Sequence, residues 1–243
     1  MEDKKNFEYK QNALASKVII PKDTEMYHPE DDDLILSLDI QYQDDMAFVA
    51  GDLMEYNGTE LGTYVGKTAV NIPYHPGLFC FREGPPLFHF VTYLMNQKNI
   101  KLNLIIVDGH GIAHPRRFGV ACWLGLIMKL PCIGFAKDSL VPYSGVINKT
   151  KGSFIEIKVE DELRGFALRT SEGVKPVFVS PGHLVSINTS KKVIENLKGE
   201  YRIPDTLRRS DQSARAYSKG ESFEEKYNLG NIPTNEINPD FIL

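Results

Sequence analysis

An apolar run that ends in an aspartate and two glycines places the strongest constraint on this chain. Residues 104–108 read LIIVD, and Gly109, His110 and Gly111 follow. Such a run is typical of a buried strand, and ligands bind at the carboxyl ends of strands in α/β sheets. We therefore expect Asp108 to point into a crevice, where the two glycines let the backbone turn and a ligand approach. The alternative is a strand-capping turn, since Asp-Gly is common in turns.

A second acid lies inside another apolar run. Residues 34–40 read LILSLDI, with Asp39 as the lone acid. Acidic residues are depleted from strands and are rarely buried without partners. Two apolar strands that each offer one aspartate suggest a shared cation, and Mg²⁺ binds a few carboxylates together with waters and phosphate oxygens. The alternative is that Asp39 faces solvent on an edge strand.

A third acid, Glu83, follows a segment rich in proline, glycine and aromatic residues. Two prolines come next and suit the first turn of a helix, so we expect Glu83 just before a helix of about residues 85–97. The helix dipole favours a carboxylate there, and capping alone would explain it. If Glu83 instead meets Asp39 and Asp108, the three acids form a two-metal arrangement for phosphodiester hydrolysis, in which one metal activates a water and the other stabilises the leaving oxygen.

The composition fits one large globular domain. The 243 residues are 42% hydrophobic and 25% charged, with a formal net charge of −4 and a pI of about 5.9. The overall charge therefore does not indicate nucleic-acid binding, and basic contacts to phosphates would have to be local.

Three cysteines, Cys80, Cys122 and Cys132, lie in apolar surroundings and have no zinc-site spacing. An odd count indicates reduced, mostly buried thiols rather than a disulfide framework. No run reaches the length of a membrane helix, and the first residues lack the apolar core of a signal peptide. We expect a soluble intracellular protein in the cytoplasm, without a membrane partner.

The order of elements predicts an α/β fold, a mixed sheet flanked by helices. We predict strands at 34–41, 46–56 and 61–70, a helix at about 85–97, a strand at 102–107, a helix at about 118–129 and a strand at 132–136. The Asn57-Gly58 pair is a strong hairpin signal, so the first three strands should form an antiparallel meander. The first and fourth strands can be neighbours in such a sheet, which would bring Asp39 and Asp108 together.

The remaining patterns are weaker. They predict a polar, helical lead-in at 1–17, a hairpin of 153–159 and 165–170, a strand at 177–179 and a helix at 187–197. We expect one nuclease-like domain at 1–217 and a polar, loosely ordered tail at 218–243.

Several motifs resemble those of the endonuclease V family, inosine-directed nucleases with a ribonuclease H-like fold. They lie in order along residues 34–217 of this chain: Pro73–Gly77 with Phe81–Glu83, Val107–Gly119, Gly134–Lys137, Ser180–His183, and Arg202–Asp205 through Asp211. The long central motifs are specific, whereas a lone Asp-Gly turn would not be.

The resemblance implies a catalytic set. Asp39, Glu83 and Asp108 would bind Mg²⁺, for which Mn²⁺ could substitute. Asp211 matches a family position near the metals that holds His or Asp. Lys137 would act as a point charge on an oxygen of the scissile phosphate.

The resemblance also implies contacts with an inosine that has left the base stack, an extrusion that costs least for mispaired or single-stranded bases. Tyr74 would be the wedge that fills the gap, although it could be a core tyrosine, and His75 departs from the usual family residue. The residues expected to form the base pocket are Gly77, Phe79, Gly109, Gly111 and Leu140. The residues expected to contact phosphates are Arg82, His114 and Arg116, with Arg117, Arg208 and Arg209 as further candidates.

Other interpretations stay open for the polar residues. Each lone Arg or Lys could be a solvated surface charge, and the spacing of His110 and His114 could suggest a metal pair, although a turn makes zinc ligation the less favoured interpretation.

We therefore expect a monomeric, Mg²⁺-dependent endonuclease that cuts one nucleotide 3′ of inosine in DNA or RNA, leaving a 3′-hydroxyl and a 5′-phosphate. The alternatives are a ribonuclease H-like nuclease that recognises flaps or branches, a non-catalytic nucleic-acid binding module, and a phosphotransferase that uses Asp108-Gly109 as a phosphate turn. The lack of a Walker-type loop weakens the last of these.

Overall fold

The structure, a computed structural model, describes residues 2–23, 27–70, 72, 77–237 and 241. Its elements in chain order are α1 (Glu2–Ala15), β1 (Leu34–Gln43), β2 (Met46–Glu55), β3 (Glu60–Ala69), α2 (Phe79–Lys98), β4 (Leu104–Asp108), α3 (Val120–Met128), β5 (Cys132–Ala136), β6 (Phe154–Val159), β7 (Glu162–Leu168), β8 (Val177–His183), α4 (Ile187–Asn196), α5 (Asp205–Ser218) and β9 (Asn228–Asn231). The strands form one sheet in the order β6-β7-β8-β5-β4-β1-β2-β3-β9.

The centre of the sheet confirms the predicted strand arrangement. Strands β1, β2 and β3 form the antiparallel meander, and β4 lies parallel to both β1 and β5. Because β1 has β2 on one side and β4 on the other, Asp39 is not on an edge strand, and it is only 7% exposed.

Helices cover both faces of the sheet, which confirms the predicted α/β class. Side chains alternate between faces along a strand, and the core divides accordingly. On β4, Ile105 and Val107 pack in the cluster that includes residues of α1, α2 and α3, whereas Leu104 and Ile106 pack in the cluster that includes residues of α4 and α5. Asp108 continues the second series, so it faces the α4 and α5 side.

The start of α2 corrects the prediction for Glu83. The helix begins at Phe79, six residues before Pro85, so Glu83 lies inside it. Prolines are unfavourable within helices, but the turn before them is held by tertiary packing. Phe81 is fully buried in the core, and Gly84 packs against the indole of Trp123, where a side chain would overlap it.

The C-terminal segment is more ordered than expected. Strand β9 pairs in parallel with β3, the amide of Val65 donates a 2.9 Å hydrogen bond to the carbonyl of Tyr227, and Ile232 is only 5% exposed. The expectation of a loose tail is therefore wrong for this part of 218–243, while the boundary at 217 stays a prediction. Within the described residues, no helix combines the length and the apolar character needed to cross a bilayer.

Candidate active site

Strand register brings the two sequence-predicted aspartates together. In the parallel pair of β1 and β4, Leu38 lies opposite Val107, and the next residue on each strand is Asp39 or Asp108. Helix α5 packs across β1 and β2 and adds Asp211. Asp39, Asp108 and Asp211 each offer an oxygen that lies within 4.8 Å of the other two.

Lys137 joins this acidic cluster from the end of β5. Its Nζ lies 2.6 Å from Asp108 Oδ2 and 3.3 Å from Asp211 Oδ1. Burial opposes the charge on Lys137, but Asp108, Asp39 and Asp211 together outweigh it and raise the pKa of the lysine. Lys137 is therefore a fixed ammonium at the cluster.

Burial makes these carboxyl groups costly to ionise. Burial, followed by the charge of Asp108, raises the pKa of Asp39 to about 8. Burial and the same Asp108 charge raise the pKa of Glu83 to about 8. Burial also raises the pKa of Asp108 itself, although Lys137 opposes this. The set therefore favours a bound cation or a shared proton over several bare carboxylates.

One side-chain oxygen of Asp39 is suited to be a metal ligand. Asp39 Oδ1 accepts a 2.6 Å hydrogen bond from the amide of Ile40, but the buried Oδ2 receives none from the described residues. A buried polar atom without a partner is costly, and hard divalent cations prefer carboxylate oxygens. This donor set suits a hard divalent cation, and it includes Asp211, which the family resemblance places near the metals but outside the ligand set.

Glu83 and Asp108 both line a narrow cavity that adjoins the cluster. The cavity has a volume of about 180 Å³ and is lined by Phe79, Cys80, Glu83, Asp108, Gly109, His110, His114, Phe118, Gly119, Val120 and Leu140. Phe79 and Leu140 are 36% and 44% exposed, so apolar surface is available beside the acids. A side chain at Gly109 would overlap Val120, which leaves backbone at the cavity wall.

Three of the five expected base-pocket residues thus line one cavity, while the other two are placed elsewhere. Gly111 packs against β8, where its amide donates a 2.9 Å hydrogen bond to Ser180 Oγ. Gly77 presents its carbonyl to Arg116 Nη2 at 2.7 Å. Tyr74 and His75 lie outside the described residues, so the wedge stays a prediction.

The three expected phosphate contacts are engaged within the protein. Arg82 donates to the carbonyl of Ile72 at 2.6 Å. Arg116 also hydrogen-bonds Gln11. Burial, followed by the charge of Arg116, lowers the pKa of His114 to about 3, and its Nδ1 accepts a 3.1 Å hydrogen bond from the amide of Arg116.

The further phosphate-contact candidates make different kinds of contact within the protein. Arg209 pairs with Asp52 at 2.8 Å, and Arg117 pairs with Glu162 at 2.7 Å. Arg208, by contrast, stacks its guanidinium on the ring of Tyr201.

His110, the other histidine of the spacing noted in the sequence, places its Nε2 2.9 Å from the carbonyl of Asp138.

A second, wider cleft lies on the Asp211 side of the cluster, and the sequence did not predict it. It has a volume of about 580 Å³ and is lined by Lys137, Val174, Glu200, Tyr201, Arg202, Ile203, Arg208, Asp211, Gln212 and Arg215. Arg215 lies one helical turn after Asp211 and contacts both of its oxygens at 3.1 Å. The i, i+4 spacing of Asp211 and Arg215 in the sequence could have indicated this contact, but only if a helix had been predicted there.

Comparison with known proteins identifies the family. The sequence profile described as Endonuclease V matches residues 13–212, a span that contains every acid of the site. The chain belongs to the endonuclease V family. It is 45% identical to the endonuclease V of Dictyoglomus turgidum over 155 residues, which cover 64% of this chain and 64% of that protein, slightly under two thirds. It is 36% identical to that of Roseiflexus castenholzii over 181 residues, covering 74% and 80%.

Solved structures of the family confirm the fold. The endonuclease V of Streptomyces avermitilis superposes with a TM-score of 0.78 at 33% identity and covers 89% of this chain and 93% of its own. The endonuclease V of Ciona intestinalis, solved with a 24mer DNA containing an inosine followed by a ribo-adenosine, gives a TM-score of 0.77 at 23% identity and covers 90% and 99%. The expected resemblance is therefore confirmed.

Proposed function

We propose that this protein is a divalent-metal-dependent endonuclease that recognises inosine in DNA or RNA. It hydrolyses a phosphodiester one nucleotide to the 3′ side and leaves a 3′-hydroxyl and a 5′-phosphate. The observation that carries the proposal is the cluster of Asp39, Asp108 and Asp211, with oxygens within 4.8 Å and one buried oxygen that receives no hydrogen bond from the described residues. Membership of the endonuclease V family and the inosine-containing DNA bound to the Ciona relative support the choice of lesion.

Each acid of the site has a proposed part in holding the cation. Asp39, Asp108 and Asp211 offer oxygens around one point, and Glu83 offers a further carboxylate from the adjoining cavity. Mg²⁺ or Mn²⁺ held there supplies positive charge for the phosphate oxygens and lowers the pKa of water. Because two strands and two helices hold these side chains, the acids are positioned before the substrate arrives.

Lys137 is proposed to position the scissile phosphate. Its ammonium already lies 2.6 Å from Asp108, so an oxygen of a phosphate placed at the cluster is within its reach. A fixed ammonium stabilises the negative charge that grows on the phosphate as the bond breaks.

The narrow cavity is proposed to receive the extruded inosine base. Phe79 and Leu140 offer apolar surface, and burial lowers the pKa of His110, which therefore lines the cavity as a neutral ring. Gly109 leaves backbone at the wall. Such a cavity suits a base that has left the stack and is read by hydrogen bonds and stacking.

The decisive experiment compares matched oligonucleotides that differ in one base. DNA and RNA strands with one inosine, or with adenosine at the same position, are incubated with Mg²⁺, with Mn²⁺ and with chelator. We expect a single cut 3′ of inosine, with a 5′-phosphate on the downstream fragment, and no cut in chelator. Equal cleavage of the adenosine strand, or preferred cleavage of an unmodified flap, would replace inosine recognition by structure recognition.

A variant pair separates catalysis from folding. Asp108→Asn removes a proposed ligand, whereas Asp161→Asn makes the same change on the exposed turn between β6 and β7. We expect cleavage to be lost only in the first variant, because an amide is a weaker ligand for a hard cation than a carboxylate. Normal turnover by Asp108→Asn would refute the metal site.

A further inference from the structure

The wide cleft beside Asp211 has the chemistry of a nucleotide site. Four of its lining side chains are cationic, Lys137, Arg202, Arg208 and Arg215, and Glu200 and Asp211 are the acids among them. Asp108 lines the narrow cavity and lies within 4.8 Å of Asp211, which lines the wide cleft. The acidic cluster thus joins the two spaces, and a strand that crosses it enters both.

Tyr201 supplies an aromatic surface in this cleft. Tyr201 is 60% exposed, and the guanidinium of Arg208 lies 3.8 Å from the centroid of its ring. A cation on one face of an aromatic ring holds the ring in place. Surface tyrosines without such support lose side-chain freedom when they bind a base, so a ring that is already held binds at lower entropic cost.

The backbone beneath this ring is also fixed. Ser171 Oγ donates a 2.9 Å hydrogen bond to the carbonyl of Tyr201, and Thr170 Oγ1 donates a 2.5 Å hydrogen bond to the carbonyl of Arg202. The guanidinium of Arg202 in turn donates to the carbonyls of Lys137 and Pro176. The aromatic surface is therefore tied to the residue that we place on the scissile phosphate.

We propose that Tyr201 and Arg208 form a stacking platform for the nucleotide immediately 3′ of the cleaved bond. This inference rests on the proposed function. Inosine would occupy the narrow cavity, and the cut lies to its 3′ side at the acidic cluster. The part of the strand downstream of the cut then runs past Asp211 into the wide cleft. The platform then holds the base of the fragment that acquires the 5′-phosphate, and Arg215 faces its backbone.

Stacking on an aromatic ring tolerates any base, because every base has a π face. It contributes about 5- to 150-fold in affinity per base. The platform should therefore add binding without adding sequence preference at the downstream nucleotide, and specificity stays with the narrow cavity.

A double-mutant cycle between protein and substrate tests the platform. The substrate is a single strand with one inosine, in which the nucleotide 3′ of the cleaved bond is either normal or abasic. We measure kcat/KM with Mg²⁺ for the wild type and for Tyr201→Ala. The abasic site should lower kcat/KM of the wild type at least about fivefold and lower that of the variant by far less. Equal losses in both proteins would overturn the proposal.

Control variants separate stacking from structure. Tyr201→Phe keeps the ring and should behave as wild type, while Tyr201→Leu keeps an apolar side chain and should behave as Tyr201→Ala, which covers the case in which alanine fails to fold. Tyr9→Ala removes the ring of a residue on α1 that is 75% exposed and should leave the full response to the abasic site. A wild-type response in Tyr201→Leu would also overturn the platform.

The same data distinguish failure of the platform from failure of the proposed function. If the wild type cuts the inosine strand and spares the adenosine strand, but the cycle is additive, only the platform is refuted. If the wild type does not distinguish the two strands, the inosine assignment fails and the platform fails with it.

Discussion

Replacement of Asp39 by asparagine should stabilise the protein in chelator while it abolishes cleavage. Asp39 is 7% exposed, and burial with the charge of Asp108 raises its pKa to about 8. Asparagine keeps the acceptor for the amide of Ile40 and places an uncharged amide where the unpartnered oxygen lies. Such carboxylates are retained at a cost in stability because function requires them.

The magnitude and its sign follow from proton linkage. An unfolded aspartate has a pKa near 3.9, so between about pH 4 and pH 8 the folded chain keeps a proton at Asp39 that the unfolded chain has released. Stability from this group is present below pH 4 and is lost as the pH rises to 8, by at most about 1.4 kcal/mol per pH unit. Neighbouring acids share in this titration, so the effect of Asp39 alone is smaller than that limit. We expect Asp39→Asn to raise the free energy of unfolding by about 2 kcal/mol at pH 8, or Tm by roughly 4–8 °C for a chain of this size.

Thermal unfolding at pH 5 and pH 8, with chelator and with Mg²⁺, measures this effect. In chelator the gain of Asp39→Asn over the wild type should grow from pH 5 to pH 8. Mg²⁺ should stabilise the wild type and have much less effect on the variant, because the cation binds the folded carboxylates. The reasoning is refuted if the variant is less stable than the wild type at pH 8 in chelator, or if Mg²⁺ stabilises both equally.

Three further changes test other parts of the site. Lys137→Ala should lower kcat about 100-fold with a much smaller change in KM, as expected for loss of a group that stabilises transition-state charge; an unchanged kcat would contradict its placement at the phosphate. His114, whose folded pKa is about 3 against about 6.5 unfolded, contributes stability that is lost as the pH falls from 6.5 towards 3, so Tm of His114→Gln should fall less than Tm of the wild type on acidification. Tyr74→Ala should weaken binding of an inosine-containing duplex by about 1–3 kcal/mol, and Tyr74→Phe should retain it; equal losses would show that the hydroxyl, not the ring, matters.

The central strands and the pair of strand acids were predictable because their patterns are local. Apolar runs that end in turn residues define β1 and β4, and the parallel order of such strands places Asp39 beside Asp108. The start of α2 was not predictable in this way. Proline chemistry suggested a first turn after Glu83, whereas burial of Phe81 and the fit of Gly84 against Trp123 extend the helix past that point.

Helix α5 escaped prediction because the face that it buries is small and largely polar. Among its buried residues are Thr206, Ser210 and Ala214, which do not form a recognisable apolar stripe. Its position over β1 and β2 is set by tertiary packing. The same helix carries Asp211 and Arg215, so the missed element is also the reason that the wide cleft was missed.

The pairing of β9 with β3 has a consequence for how this protein can be shortened. The family profile ends at residue 212, yet β9 covers the outer backbone groups of β3 through Val65 and Lys67. A chain that ended after α5 would leave the outer edge of β3 unpaired around Val65 and Lys67, and an unpaired strand edge is a template for pairing with another copy. Light scattering should then detect concentration-dependent aggregation of that shortened nuclease even though every proposed catalytic side chain is present. We therefore expect β9 to contribute to colloidal solubility, a property separate from catalysis.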